Sequence, residues 1–170
     1  MGDLEFYLYK VPSEIGDWLA VFEKDELIYL DSYNQGKKQM EAFLEKFLHQ
    51  HYHFHIGKFQ PAKWTKGNFW TKKHKIKLQG TEFQMKVWLE LLKIPRGTCV
   101  TYSDVAKKIR KPSAVRAVST AIGQNPVCVW IPCHRVIGKG GNVFKYRGGS
   151  ETKIGLLQKE GALAISKSSK

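Results

Sequence analysis

TYSDVAKKIRKPSAVRAVSTAIGQN, residues 101–125, decides the fold of the second half of this chain. It holds two short stretches of helical periodicity separated by Arg110, Lys111 and Pro112, the spacing of a helix-turn-helix. On a helical wheel the second stretch puts Ala114, Ala117, Val118 and Ala121 on one stripe, expected to face a core. Arg116, Ser119, Thr120 and Gly123 fall on the other. That second stripe is small, flat and armed with one long cation. Such a face lets a backbone lie close to a surface while the arginine enters a groove, which points to nucleic acid.

Upstream, TEFQMKVWLELLKIPRG (residues 81–97) predicts a helix opened by a Thr81/Gln84 capping box and closed before Pro95 and Gly97. Residues 60–77, rich in lysine, glycine and polar side chains, read as a linker or long loop ending in a short strand. Before it, QMEAFLEKFLHQHY (39–52) spaces Met40, Phe43, Leu44, Phe47 and Leu48 at helical intervals. FYLYKV and WLAVFEKDELIYLDSY predict short strands, with a hairpin connection between Glu23 and Glu26. The expected class is α+β: a small α/β domain with its linker over 1–78, a mainly helical domain over 79–163 and a disordered tail over 164–170.

Charge divides the same way. Of the formal net +13, residues 1–80 carry 12 Lys and Arg against 10 Asp and Glu, net +2. Residues 81–170 carry 16 against 5, net +11. A field of that sign favours a polyanion, either nucleic acid or an anionic membrane surface. The cysteines, Cys99, Cys128 and Cys133, are odd in number and lack disulfide-framework spacing, which predicts a reducing compartment. The first residues lack the blocks of a signal peptide, and Phe6 stands where a myristoylation signal needs Ser or Thr. No apolar run reaches membrane-spanning length. The expectation is a soluble protein without a membrane partner, cytoplasmic in a prokaryote and nuclear in a eukaryote.

Downstream, the β-branched, apolar run VCVWI (127–131) predicts a buried strand that delivers Cys133 at its end. A cysteine is nucleophilic as thiolate and needs a base or positive charge beside it; IPCHRV (131–136) supplies His134 and Arg135. Adjacent side chains on a regular element point apart, so the three are expected to serve different neighbours. A bridging water or a bend would then connect thiol and imidazole. A working histidine is oriented by an acceptor on its second nitrogen. Glu160 is the unusual acid, ending ETKIGLLQKEG where a carboxylate opposes the helix dipole.

Glycines 138, 140, 141, 148 and 149, with Phe144 and Tyr146 among them, form a loop able to approach a ligand closely. A thiol beside that loop and a DNA-reading helix suggests chemistry on an unstacked base. A non-catalytic DNA-binding module and a Cys-His-Glu hydrolase are the alternatives. Zinc is not expected at the C-x4-C pair Cys128 and Cys133, because the intervening VWIP reads as strand and no second pair follows. His49, His51, His53 and His55 repeat with period two, which would place all four on one face of a strand: a solvated or partly packed edge, with metal binding as the alternative.

GTEFQMKVWLELLKIPRG, TYSDVA, RAVSTAIGQNPV, IPCHRV, YRGG and LLQKEG occur within residues 80–161 in one order. In that order and spacing they resemble the catalytic domain of the O6-alkylguanine-DNA alkyltransferase family. The first half is similar more loosely, through SEIGDWLAV. The resemblance implies a ribonuclease-H-like N-terminal domain and a helical catalytic domain with a helix-turn-helix. It further implies a suicide repair protein that binds duplex DNA containing O6-alkylguanine from the minor groove and flips the damaged base. The alkyl group passes irreversibly to Cys133, and O4-alkylthymine is implied as a second substrate. No cofactor or metal is implied; the chain would act as a monomer, with cooperative binding along DNA compatible with that.

By the same resemblance His134 acts on Cys133 through a water, with Glu160 behind it. Tyr102 protonates the departing guanine at N3 and crowds the phosphate, and Arg116 fills the space the base left. Ala117, Ser119, Thr120 and Gly123 join Tyr102 and Arg116 against DNA. Asn125 braces the active-site turn and Arg135 is structural. The carbonyls of Cys133 and Val136 read the guanine amino group, while Tyr146 and the Arg147, Gly148 and Gly149 backbone line the pocket, with the Arg147 amide near O6. Three departures stand out. The zinc ligands of some members have no counterparts here; Arg147 replaces a serine; and Gly148 stands where some members carry tryptophan, which implies room for a group as bulky as benzyl.

Overall fold

The computed structural model describes residues 5–48, 55–56, 68–143 and 145–163. His49, His51, His53, Phe144 and residues 164–170 lie outside them, as does the side chain of His55. The chain divides into two units. One comprises Met1–Gly80 with Pro126–Cys128, the other Thr81–Asn125 with Val129–Lys170. The class is α+β, and no helix among the described residues is long and apolar enough to cross a membrane.

The first unit is built on strands β1 (Glu5–Ser13), β2 (Gly16–Glu23) and β3 (Glu26–Ser32), an antiparallel meander. The turn between β2 and β3 is Lys24–Asp25, with Lys24 at φ 56°, as the hairpin reading asks. Helix α1 (Tyr33–Leu48) follows directly, then β4 (His55–Ile56), α2 (Asn68–Thr71) and β5 (Lys75–Ile76). The two short strands add in parallel to β1 and β3, giving the order β4-β1-β2-β3-β5. α1 begins six residues before the apolar spacing suggests, because Gly36 permits a close approach: a Cβ there would lie 2.7 Å from Asp31 Cβ.

β2 is apolar on both faces because both are covered. Leu19 and Val21 pack with Met40 and Leu44 of α1. On the other face, Trp18 meets Trp70 edge-on at 5.6 Å, and Phe22 meets Phe69 at 6.5 Å and the His74 ring at 5.6 Å. The 60–77 stretch read as linker therefore ends in part of this core, with Trp70 Nε1 donating to Pro12 O at 3.0 Å.

His74 is half-buried, and burial lowers its pKa below the ordinary 6.5; the hydrogen bond to Phe69 O works the other way, and Lys72 assists the lowering. Charging it costs more in the folded state than in the unfolded one. The stability it contributes is present above 6.5 and lost as pH falls through its lowered pKa. Melting temperatures between pH 7.5 and 5.5 are expected to fall more steeply for wild type than for His74→Gln; parallel slopes would remove His74 as the cause.

Pro126–Cys128 is clipped onto β3 by Leu30 N–H to Pro126 O and Cys128 N–H to Leu30 O, both 2.9 Å. The VCVWI strand does not form. Val127 makes a single bridge to Leu30, after which Val129 takes φ 73° and the chain turns. A strand cannot run through a left-handed residue, so the run is broken into isolated bridge residues on either side of a turn.

The second unit holds α3 (Glu82–Leu91), β6 (Val100–Thr101), α4 (Tyr102–Lys108), α5 (Val115–Gly123), a 3-10 turn (Cys133–Arg135), β7 (Val136–Ile137), a second 3-10 turn (Lys139–Gly141) and α6 (Ser150–Lys159). α3 opens on the Thr81/Gln84 capping box, and α4 on a second box from Thr101 and Asp104. α3 and α5 are joined by Trp88 Nε1 donating to Ala121 O at 2.8 Å. α4, the turn through Arg110 (φ 61°) and α5 make the helix-turn-helix. Its core face is Val118, Ala121 and Ile122. Ala117, which the wheel puts in the core, is exposed: the contact with α3 and α4 rotates the stripe toward Ile122.

Candidate active site

Pro132 (φ −80°, ψ 62°) bends the chain out of extended geometry and the next three residues wind as a 3-10 turn. With about three residues per turn, neighbours on such a turn fan out by roughly 120°. Cys133 is buried at its start, with Sγ 3.8 Å from the Tyr146 hydroxyl. His134 is wholly buried; its Nε2 donates to Glu160 Oε1 at 2.9 Å, and its Nδ1 has no hydrogen-bond partner among the described residues.

Arg135 does not diverge from His134. Its Nε donates to Glu160 Oε2 at 2.9 Å and its Nη2 to Oε1 at 2.8 Å, while Nη1 donates to Ile94 O at 2.6 Å. Two consecutive side chains therefore share one carboxylate, that of Glu160 at the C-terminal cap of α6. Gly97 belongs to the same assembly: at φ 81°, a Cβ would stand 3.0 Å from Glu160 O.

Burial alone would raise the Glu160 pKa, but the Arg135 and His134 hydrogen bonds and charges outweigh it and bring it down to about 2. Burial lowers the His134 pKa; Glu160 opposes this, and Arg135 and Lys153 add to the lowering. The pair is thus a carboxylate held by arginine and a neutral imidazole. An anionic acceptor fixes the proton on Nε2 and leaves the lone pair on Nδ1, the tautomer of a base.

Tyr102, the first residue of α4, is half-buried; burial, then the charge of Cys133, raises its phenol pKa, so it stays a proton donor. Asn125 is buried and donates through Nδ2 to Ile131 O at 2.9 Å, closing the loop that precedes the cysteine. Val136 directs its carbonyl at the Lys153 ammonium, 2.6 Å away. Arg147 and Gly149 are half-buried and Gly148 is buried, on the approach to α6, which Gly149 (φ 93°) caps.

Lys153 was not foreseen. It is 1 % exposed, its Nζ lies 5.9 Å from the Tyr146 ring centroid, and burial lowers its pKa while the charges of Cys133 and Cys99 raise it. The signal is present in the sequence: Lys153, Leu156 and Leu157 are spaced i, i+3, i+4, so a lysine occupies the core stripe of α6. A buried ammonium and a sulfur anion stabilise one another.

On the recognition helix, Arg116, Ala117, Thr120 and Gly123 are exposed and Ser119 is half-buried. Arg116, Ala117 and Thr120, with Thr81, Gln84 and Gln124, line a shallow groove of about 680 Å³. Among the described residues, no group of three or more His, Cys, Asp or Glu stands together as a metal site.

The family model described as "6-O-methylguanine DNA methyltransferase, DNA binding domain" matches residues 82–162. A methylated-DNA–protein-cysteine methyltransferase of Methanosarcina acetivorans is 35% identical over 150 residues, covering 88% of this chain and 95% of that protein. The inducible methylated-DNA–protein-cysteine methyltransferase of Bacillus subtilis is 54% identical over 85 residues, and there the match spans about half of each, 50% of this chain and 48% of the relative. The crystal structure of Mycobacterium tuberculosis OGT in complex with DNA aligns with a TM-score of 0.67 and 28% identity, over 92% of this chain and 93% of that one.

Proposed function

This chain belongs to the methylated-DNA–protein-cysteine methyltransferase family, and on that premise we propose that it repairs O6-alkylguanine in duplex DNA by taking the alkyl group irreversibly onto Cys133. The observation that carries this reading is the arrangement around Cys133. A buried thiol is followed in the chain by a buried histidine whose Nε2 is fixed by Glu160 at 2.9 Å and whose Nδ1 has no hydrogen-bond partner among the described residues.

In this reading, α5 enters the minor groove and Arg116 takes the place of the flipped base, with Ala117, Ser119, Thr120 and Gly123 along the backbone. Nδ1 of His134 draws the thiol proton through a water, and the thiolate attacks the sp3 carbon in line with O6. The S–C bond forms as the C–O6 bond breaks, and the electron pair stays with guanine, which Tyr102 protonates at N3. A soft, strong nucleophile and a neutral leaving group suit that displacement. The Val136 carbonyl, already held by Lys153, is oriented for the guanine amino group, with Tyr146 and the Arg147, Gly148 and Gly149 backbone lining the pocket. The thioether is not hydrolysed, so each molecule acts once; O4-alkylthymine is a second substrate.

The test is an oligonucleotide carrying O6-methylguanine, followed by mass measurement of the intact protein and its peptides. One methyl on Cys133 per molecule, without turnover, is the expected result. Binding without an adduct would favour a DNA-binding module, and turnover of an ester would favour a cysteine hydrolase.

Pocket size gives a further prediction. Gly148 is buried and has no side chain, so free O6-benzylguanine is expected to label Cys133. Gly148→Trp is expected to reduce benzyl labelling at least about tenfold relative to methyl transfer, a steric discrimination of ordinary size for a pocket wall. Equal losses for both groups would show that residue 148 does not face the alkyl group.

A further inference from the structure

The side chain of Arg147 is held on two backbone carbonyls near the end of α5. Its Nη2 donates to Asn125 O at 2.6 Å and its Nη1 to Gly123 O at 3.3 Å. These are carbonyls at and just beyond the C-terminal end of α5, where the last turn leaves acceptors without helical partners. α5 has no basic residue of its own in that turn, so Arg147 supplies from another segment the cation that a helix C-terminus favours.

The contact joins three parts of the site. Gly123 ends the recognition helix. Asn125, whose own Nδ2 holds Ile131 O at 2.9 Å, fixes the approach to Cys133. Arg147 lies in the loop that turns, through Gly149 N–H to Tyr146 O at 3.1 Å, into α6. A planar guanidinium spans two carbonyls two residues apart; an ammonium serves them less well, and a serine is too short to reach either.

We infer that Arg147 is a positioning residue, a latch that holds the 145–149 loop against the end of the recognition helix and so sets the pocket backbone in register with Cys133. What the loop holds in that register, a flipped O6-alkylguanine, rests on the functional reading above; the latch itself does not.

The experiment compares wild type with Arg147→Met, which keeps length and apolar stem but loses every donor, and with Arg147→Lys. Amide hydrogen exchange reads the latch directly. Arg147→Met is expected to exchange about tenfold or more faster at residues 145–149, as a local opening would, with the α3 amides unchanged. Single-turnover transfer is expected to slow about 10- to 100-fold, the scale of a misplaced reacting group, and equally for a methylated duplex and for free O6-benzylguanine. Affinity for undamaged duplex is expected to hold, and Arg147→Lys to fall between. Wild-type exchange in Arg147→Met would overturn the latch, and so would a loss confined to the duplex substrate, which would make Arg147 a DNA contact. Should wild type itself fail to transfer, the functional reading falls and exchange still decides the latch.

Discussion

Cys133→Ser is expected to leave no detectable alkyl transfer, a loss of at least about 10⁴-fold, while the lesion-bearing duplex is still bound. The magnitude follows from ionisation. A thiol near 8.5 is partly thiolate at neutral pH, whereas an aliphatic hydroxyl ionises only at far higher pH and is almost entirely protonated. The surroundings do not close a gap of that size. Tyr146 offers one hydroxyl at 3.8 Å, Lys153 one buried ammonium, and His134 a base of lowered pKa. Those groups suit a sulfur that needs help, not an oxygen that would have to be created as an anion. Intact mass over an extended incubation reads the result. An adduct that persists on the serine variant would move the acceptor elsewhere; half-buried Cys99 is then the residue to map first, since Cys128 is buried.

The parts of this architecture that were legible in the sequence are those in which local chemistry and tertiary contact agree. Thr81 and Gln84 announce the start of α3 because a capping box is a local bargain between two side chains and two amides. The two halves of the helix-turn-helix announce themselves by period. Glu160 could be picked out because its place at a helix end contradicts dipole electrostatics, and contradictions of that kind mark residues held by something else.

What was not legible depended on the path of the backbone between elements. Val129 in a left-handed conformation turns a run that propensity assigns to a strand, and no residue type warns of it. His134 and Arg135 meet on Glu160 although neighbours on the 3-10 turn after Pro132 fan apart, because the acceptor comes from the end of α6, far along the chain, and the long arginine reaches it. Ala117 was misplaced by one step of the wheel because small residues fit either side of a helix. Lys153 was legible in principle, as a charge on an apolar stripe, but its meaning needed Val136 O and Cys133 in space.

Glu160→Gln tests how far that shared carboxylate governs the chemistry. The wild-type carboxylate can only accept, so it forces the His134 proton onto Nε2 and leaves Nδ1 as the base. A glutamine can turn its amide N–H toward Nε2, which moves the ring proton to Nδ1 and removes the lone pair. The corresponding aspartate-to-asparagine change in a serine protease triad costs about 10⁴ through the wrong tautomer. Arg135 donates to both carboxylate oxygens, so either amide orientation sets an N–H against one of its donors; the orientation that keeps the oxygen toward His134 preserves part of the wild-type arrangement, and the expected loss in transfer rate is about a thousandfold. Undamaged-duplex affinity should hold, because α5 is untouched. Stability should fall by about 1–3 kcal/mol as charge-assisted bonds become neutral ones.

The pH dependence has a definite sign. Glu160 is depressed from 4.5 to about 2, so its stabilisation is complete above 4.5 and is lost as pH falls through about 2; the glutamine variant should lack that acid-labile component. In the wild type, lowering of the His134 pKa keeps the base neutral below 6.5, so the transfer rate should hold to lower pH than an ordinary histidine allows. Single-turnover rates at pH 7.5, with a melting curve for each protein, separate the two roles. A Glu160→Gln protein that is less stable but transfers at close to the wild-type rate would reduce Glu160 to a brace for Arg135 and leave His134 without an orienting partner.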